Sequence, residues 1–148
     1  MRSEPLRLRV TQRPAPSGKG RVLMVDEDPK DLGLYRSALE AEGFQVITST
    51  SFEEGDRCLE KETFDFVLVS QGSTAFEGRT VLDHALKTDR GRPVLVITRC
   101  TDIRCYLEAM QMGAVDYVEK PVAPSDLLHV VEAHVQHGRV QQLGGGAS

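Results

Sequence analysis

Four apolar runs in the sequence each end on side chains able to do chemistry. Asp26 and Glu27 follow RVLMV, Ser70 closes FDFVLVS, Thr98 and Arg99 follow PVLVI, and Lys120 follows VDYVE. An adjacent acid pair needs a cation, because two unit charges about 4 Å apart interact by roughly 4 kcal/mol at an effective dielectric of 20. Lys120 can supply one. Arg99 can supply another, since a guanidinium suits bidentate contact with carboxylates. Ser70 is harder to employ. A serine hydroxyl is a poor nucleophile unless a base activates it. No histidine stands at these run ends, and Asp26 or Glu27, with an ordinary carboxyl pKa near 4, is a weak base.

These residues are distant in sequence, so they meet only if the runs are strands of one sheet. RVLMV is too short for a helix and rich in strand formers. Asp28 followed by Pro29 caps a helix with Leu32, Tyr35 and Leu39 on its apolar stripe and Gly43 as its stop. FQVITST is a more polar strand, nearer an edge, and Ser51 opens a helix to about Lys61. After FDFVLVS comes the loop QGSTAFEG, then a helix over RTVLDHALKT and the strand PVLVIT. DIRCYLEAMQMG is a helix expected to turn Ile103, Leu107 and Met110 inward and to stop at Gly113. VDYVEK is the fifth strand. Ser125 is the expected cap of a last helix to about Gln142, with Leu128, Val131 and Val135 on its buried face. Five strand–helix pairs with apolar strands predict an α/β fold, a five-stranded parallel sheet covered on both faces. Right-handed crossovers favour the flavodoxin-like order 2-1-3-4-5. In such sheets ligands sit beyond the carboxyl ends of the strands, where the acids, hydroxyls and lysine gather.

Over about residues 20–142 the sequence resembles a response-regulator receiver domain of two-component signalling. The runs VLMVDEDP, PVLVIT and AMQMGAVDYVEKP carry the likeness, the last most specifically. The resemblance implies that Asp26 and Glu27 match acids that hold Mg²⁺, Thr98 and Lys120 match groups that grip phosphoryl oxygens, and Tyr117 matches an aromatic whose rotamer reports the switch. It also implies a cis Lys120–Pro121 bond. Family members end the third strand in an aspartate that takes phosphate from a histidine kinase, and Ser70 stands in its place. Thr74 occupies about the place of a usual loop proline, although Gly78 is retained.

This departure changes the expected chemistry. Without the acceptor carboxylate, which also serves as a metal ligand in the family, Mg²⁺ binding should be weak or lost, because Mg²⁺ relies on a few carboxylates and phosphate. Asp65, five residues before Ser70, is about 16 Å away at the wrong strand end. Glu77, in the loop, reads as a turn residue before Gly78. Arg99 is therefore expected to neutralise the Asp26–Glu27 pair in place of a metal. The expected function is that of an atypical stand-alone receiver, no enzyme and without cofactor, acting by phosphorylation-independent protein–protein contact. A histidine kinase, another regulator or effector, or a second copy would be its partner. The expected contact surface is the helix after Thr98, the fifth strand and the last helix, with Arg104, Tyr106, Glu108, Gln111 and Glu119 as exposed candidates. One alternative is a phosphorelay role through a non-standard acceptor residue.

Composition agrees with a single body of this kind. The 148 residues carry a net charge of −4, which makes no case for a nucleic-acid-binding body, and no apolar run is long enough for a membrane span. Three cysteines without a CxxC pair suit reduced thiols in a cytoplasmic protein. Residues 1–20 read as a flexible basic arm, 21–142 as the receiver and 143–148 as a flexible tail. Arg2, Arg7, Arg9, Arg13, Lys19 and Arg21 keep open a second alternative, polyanion contact through the arm.

Overall fold

In the computed structural model the backbone is described for residues 18–147 and the side chains as far as Val135. Strand β1 (Gly20–Val25) leads through helix α1 (Pro29–Ala41) to β2 (Phe44–Ser49), then α2 (Phe52–Lys61) and β3 (Phe66–Ser70). Helix α3 (Arg79–Thr88), β4 (Val94–Thr98), α4 (Ile103–Met112), β5 (Asp116–Glu119) and α5 (Pro124–Ala147) complete the alternation. The strands are parallel in the order β2-β1-β3-β4-β5, as the apolar runs predicted. Most of the segment 1–20, expected as an arm, lies outside the described residues. Its end belongs to the body: Gly20 opens β1, and the Lys19 ammonium meets Glu132 on α5 at 3.0 Å.

The central strands are apolar throughout because successive side chains feed opposite faces. Leu23, Val25, Val67, Val69, Val94 and Val96 join one core with Leu59, Val81, Leu82, Ala85, Cys105 and Ala109 of α2, α3 and α4. Val22, Met24, Phe66, Leu68, Leu95 and Ile97 join the other, against Leu32, Tyr35 and Leu39 of α1 and Leu127, Val131 and Val135 of α5. Each Val, Leu, Ile, Phe or Met side chain among them contributes about 1.5–3 kcal/mol when removed from water.

Helix α4 corrects an expectation. Ile103 and Leu107 are 67% and 49% exposed, and Met110 is only partly buried. Cys105 and Ala109 face the core instead. Small side chains thus take the inward face of this helix, and large apolar ones lie outward. Gly113 does end the helix, in the left-handed conformation at φ 117°. Helix α5 differs twice. It starts at Pro124, so Ser125 lies within its first turn; proline's fixed φ suits the first helical position. It also continues past Gln142, so residues 143–147, expected as a tail, are helical. Extending an established helix costs far less than nucleating one.

Candidate functional site

Strand register builds the site. Val25 pairs with Val69, Ser70 with Ile97, and Thr98 with Glu119, so Asp26, Ser70, Thr98 and Lys120 reach one edge of the sheet. Asp26, Ser70 and Thr98 are 0, 2 and 1% exposed, and Lys120 is 8% exposed. Glu27 is exposed.

The charges pair differently from the sequence expectation. Lys120 Nζ lies 2.7 Å from Asp26 Oδ2 and 2.8 Å from Asp31 Oδ2. The Arg99 guanidinium contacts Asp28 at 2.5 Å and Asp31 at 2.8 Å, so it neutralises these acids of the α1 start and not the Asp26–Glu27 pair. Asp26 Oδ1 accepts the Asp28 N–H at 2.9 Å, whereas its Oδ2 has the ammonium contact without an aligned hydrogen bond. Burial raises the Asp26 carboxyl above its ordinary range, against the Lys120 contact and the Asp28 N–H. Burial also opposes the charge of Lys120, but Asp26 and Asp31 outweigh it and hold the ammonium above its ordinary value. The Lys30 N–H, and then Arg99, hold Asp28 below the usual carboxylate range.

Asp31 was not singled out in the sequence. It stands three residues after the Asp28 cap, where an acid is favoured by the helix terminus alone. That local role hides its distant partners. Gln71, directly after β3, was missed as well. Its side chain is fully buried, with Nε2 donating to the Ser73 and Cys100 carbonyls and Oε1 accepting from the Tyr117 hydroxyl. A glutamine opening a loop gives no sequence sign of burial.

The remaining groups are internally committed. Ser70 Oγ accepts the Gly72 N–H at 3.1 Å. Thr98 Oγ1 donates to the Cys100 carbonyl and accepts the Cys100 N–H, at 3.0 and 2.9 Å. Glu77 takes the N–H and hydroxyl of Ser73, and the backbone bond chiefly lowers its pKa. Asp65 accepts the Arg21 N–H at the opposite end of the sheet. Of the surface candidates, Arg104, Tyr106, Gln111 and Glu119 are exposed, whereas Glu108 is partly buried and paired with Arg79. Lys120–Pro121 is cis.

The model of the response regulator receiver domain matches residues 22–132. The chain belongs to this family. Receivers of response regulators act in two-component signalling, and the order of this one's strands follows that fold. It is similar to the alginate biosynthesis transcriptional regulatory protein AlgB of Pseudomonas aeruginosa, 31% identical over 74% of this chain and 24% of that protein. The transcriptional regulatory protein GlrR of Escherichia coli is 31% identical over 75% of this chain and 25% of its own length. The chain thus spans about a quarter of the length of these curated relatives. Among solved structures, a CheY-like receiver domain protein from Methanospirillum hungatei superimposes with a TM-score of 0.77 at 28% identity, covering 82% of this receiver and 97% of that chain. The beryllofluoride-activated DrrB receiver domain gives 0.69 at 26% identity, covering 79% and 97%. Among the described residues no helix is long and apolar enough to cross a membrane.

Proposed function

We propose that this receiver works without phosphotransfer, as a binding module that presents α4 and β5 to another protein of a signalling pathway. One observation carries the reading: β3 ends in Ser70, a buried neutral side chain that accepts the Gly72 N–H, where the family resemblance calls for a phosphate-accepting aspartate. Acyl phosphate formation needs an ionised carboxylate. A serine would need a base instead, and the nearby Asp26 is already engaged by Lys120.

The acids also fit Mg²⁺ poorly. Asp26 and Asp31 carry the Lys120 ammonium, and Asp28 and Asp31 carry the Arg99 guanidinium. Mg²⁺ demands an octahedral set of oxygens at about 2.0–2.1 Å. Two cationic side chains already hold Asp26, Asp28 and Asp31, which leaves Glu27 as the one acid of the expected metal pair outside these contacts, so no step of the proposed function passes through a metal. The transcriptional role named for the curated relatives belongs to much longer proteins. For this chain it supports membership of a signalling pathway, with a kinase, a regulator or an effector as the partner class.

Incubation with Mg²⁺ and acetyl phosphate, read by intact mass, tests the reading. No phosphoryl adduct is expected, and a stoichiometric adduct on any residue overturns it. A magnesium titration by calorimetry tests the part played by Arg99. Arg99→Ala frees Asp28 and one contact of Asp31, so it is expected to tighten magnesium binding about threefold or more, given several kcal/mol of charge interaction at such distances. Unchanged affinity in the variant would remove Arg99 as the stand-in for a metal.

A further inference from the structure

Gln71 is a buried polar side chain that the ion-pair cluster leaves unused. Its carboxamide joins three segments. Nε2 donates to Ser73 O at 3.1 Å in the β3–α3 loop and to Cys100 O at 3.2 Å in the β4–α4 loop. Oε1 accepts from the Tyr117 hydroxyl on β5. The Tyr117 oxygen in turn accepts the Asp102 N–H at 3.0 Å, and Asp102 is the cap of α4. Both amide hydrogens of Gln71 are therefore used, and one of the two acceptor positions of its oxygen is taken.

The chain of contacts continues to the surface. The Tyr106 ring packs edge-on against Tyr117, with centroids 5.6 Å apart and an interplanar angle of 71°. Thr101, Asp102, Ile103, Tyr106 and Tyr117 line a shallow cleft of about 340 Å³ beside the exposed Ile103 and Leu107. Thr98 ties its hydroxyl to the Cys100 carbonyl and N–H, at 3.0 and 2.9 Å, and also reaches the Tyr117 hydroxyl.

We propose that Gln71 is the positioning residue of this surface: its carboxamide fastens Tyr117 inward and sets the start of α4 without any phosphoryl group. This rests on the phosphorylation-independent reading and names how the surface is kept in one arrangement. A neutral amide suits the task. It satisfies donors and acceptors in a buried place at no charge cost, and its loss leaves two carbonyls and a phenol short of partners.

The test uses the full chain labelled with 3-fluorotyrosine, whose three tyrosines are Tyr35, Tyr106 and Tyr117. Fluorine NMR of Gln71→Met, with Tyr117→Phe to assign the line, should show the Tyr117 signal shifted or split and its solvent isotope shift raised about twofold. The Tyr35 line should stay in place, because Tyr35 is 3% exposed and packed in the other core. An unchanged Tyr117 line overturns the proposal. A second measurement needs no variant. Hydrogen exchange of the Gln71 side-chain amide should be at least about tenfold slower than that of Gln45 and Gln111, which are exposed. Equal rates overturn the proposal even if Gln71→Met fails to fold. The arms separate the two claims. Phosphoryl uptake by the wild type with Tyr117 released in Gln71→Met refutes the functional reading and supports the clamp. No uptake with an indifferent Tyr117 line does the reverse.

Discussion

Lys120→Met is expected to lower stability at neutral pH by about 3–5 kcal/mol, because it strands a buried carboxylate without its counter-charge. Asp26 is fully buried, and Lys120 is the cation 2.7 Å from its Oδ2. Asp31 loses less, since Arg99 still reaches it. Urea unfolding measures the loss, and a change below about 1 kcal/mol would mean that water or rearrangement screens Asp26. Two controls mark the mechanism. Adding Asp26→Asn to Lys120→Met should recover part of the loss, since no buried charge remains. Lowering the pH should also narrow the gap, because the stranded carboxyl takes up a proton in the folded state before the unfolded chain does. In the wild type the sign at the alkaline end is opposite to a carboxylate's. The folded ammonium lies above its ordinary value near 10.5, so its contribution is full below that pH and is lost as pH rises through the folded pKa. Lys120→Met should abolish that alkaline loss.

Gly78→Ala is expected to cost about 2–3 kcal/mol, at the upper end for overpacking, because the new methyl would meet backbone. A Cβ at Gly78 would stand 1.9 Å from the Ser70 carbonyl oxygen and 3.1 Å from Val69 Cγ2. Both neighbours end β3, the middle strand of the sheet, and cannot yield easily. Dihedral strain contributes nothing, since φ is −69° and suits alanine. The same change at Gly33 has nothing within 4 Å and lies inside α1, so Gly33→Ala should stabilise by up to about 1 kcal/mol. Opposite signs for one chemical change, read by thermal or urea unfolding, test the close-approach argument. A Gly78→Ala loss under about 0.5 kcal/mol would show that the loop simply shifts. The displaced loop would carry the Gly78 N–H away from Gln71 O, a bond of 3.1 Å, and disturb the Gln71 clamp with it.

The sequence by itself determined the sheet, its order, and which strand ends share an edge. Apolar runs of strand length, the Asp28 and Ser51 caps and the Gly113 stop are local signals, and each reappears where its residues predicted. The absence of an acid at Ser70 is equally plain in one letter. Only the tertiary structure decided which charges meet. Asp31 joins Lys120 and Arg99 because the long side chains that follow β5 and β4 reach the first turn of α1, and nothing local distinguishes it from a helix-terminal acid. Gln71 becomes a buried clamp because two loops and β5 close over it. The outward face of α4 followed the same logic. Periodicity located a stripe of large apolar residues, but packing against the rest of the fold put Cys105 and Ala109 on the inside. Local chemistry fixes elements and their ends, whereas the height and rotation at which elements pack fix partners, and those depend on residues far along the chain.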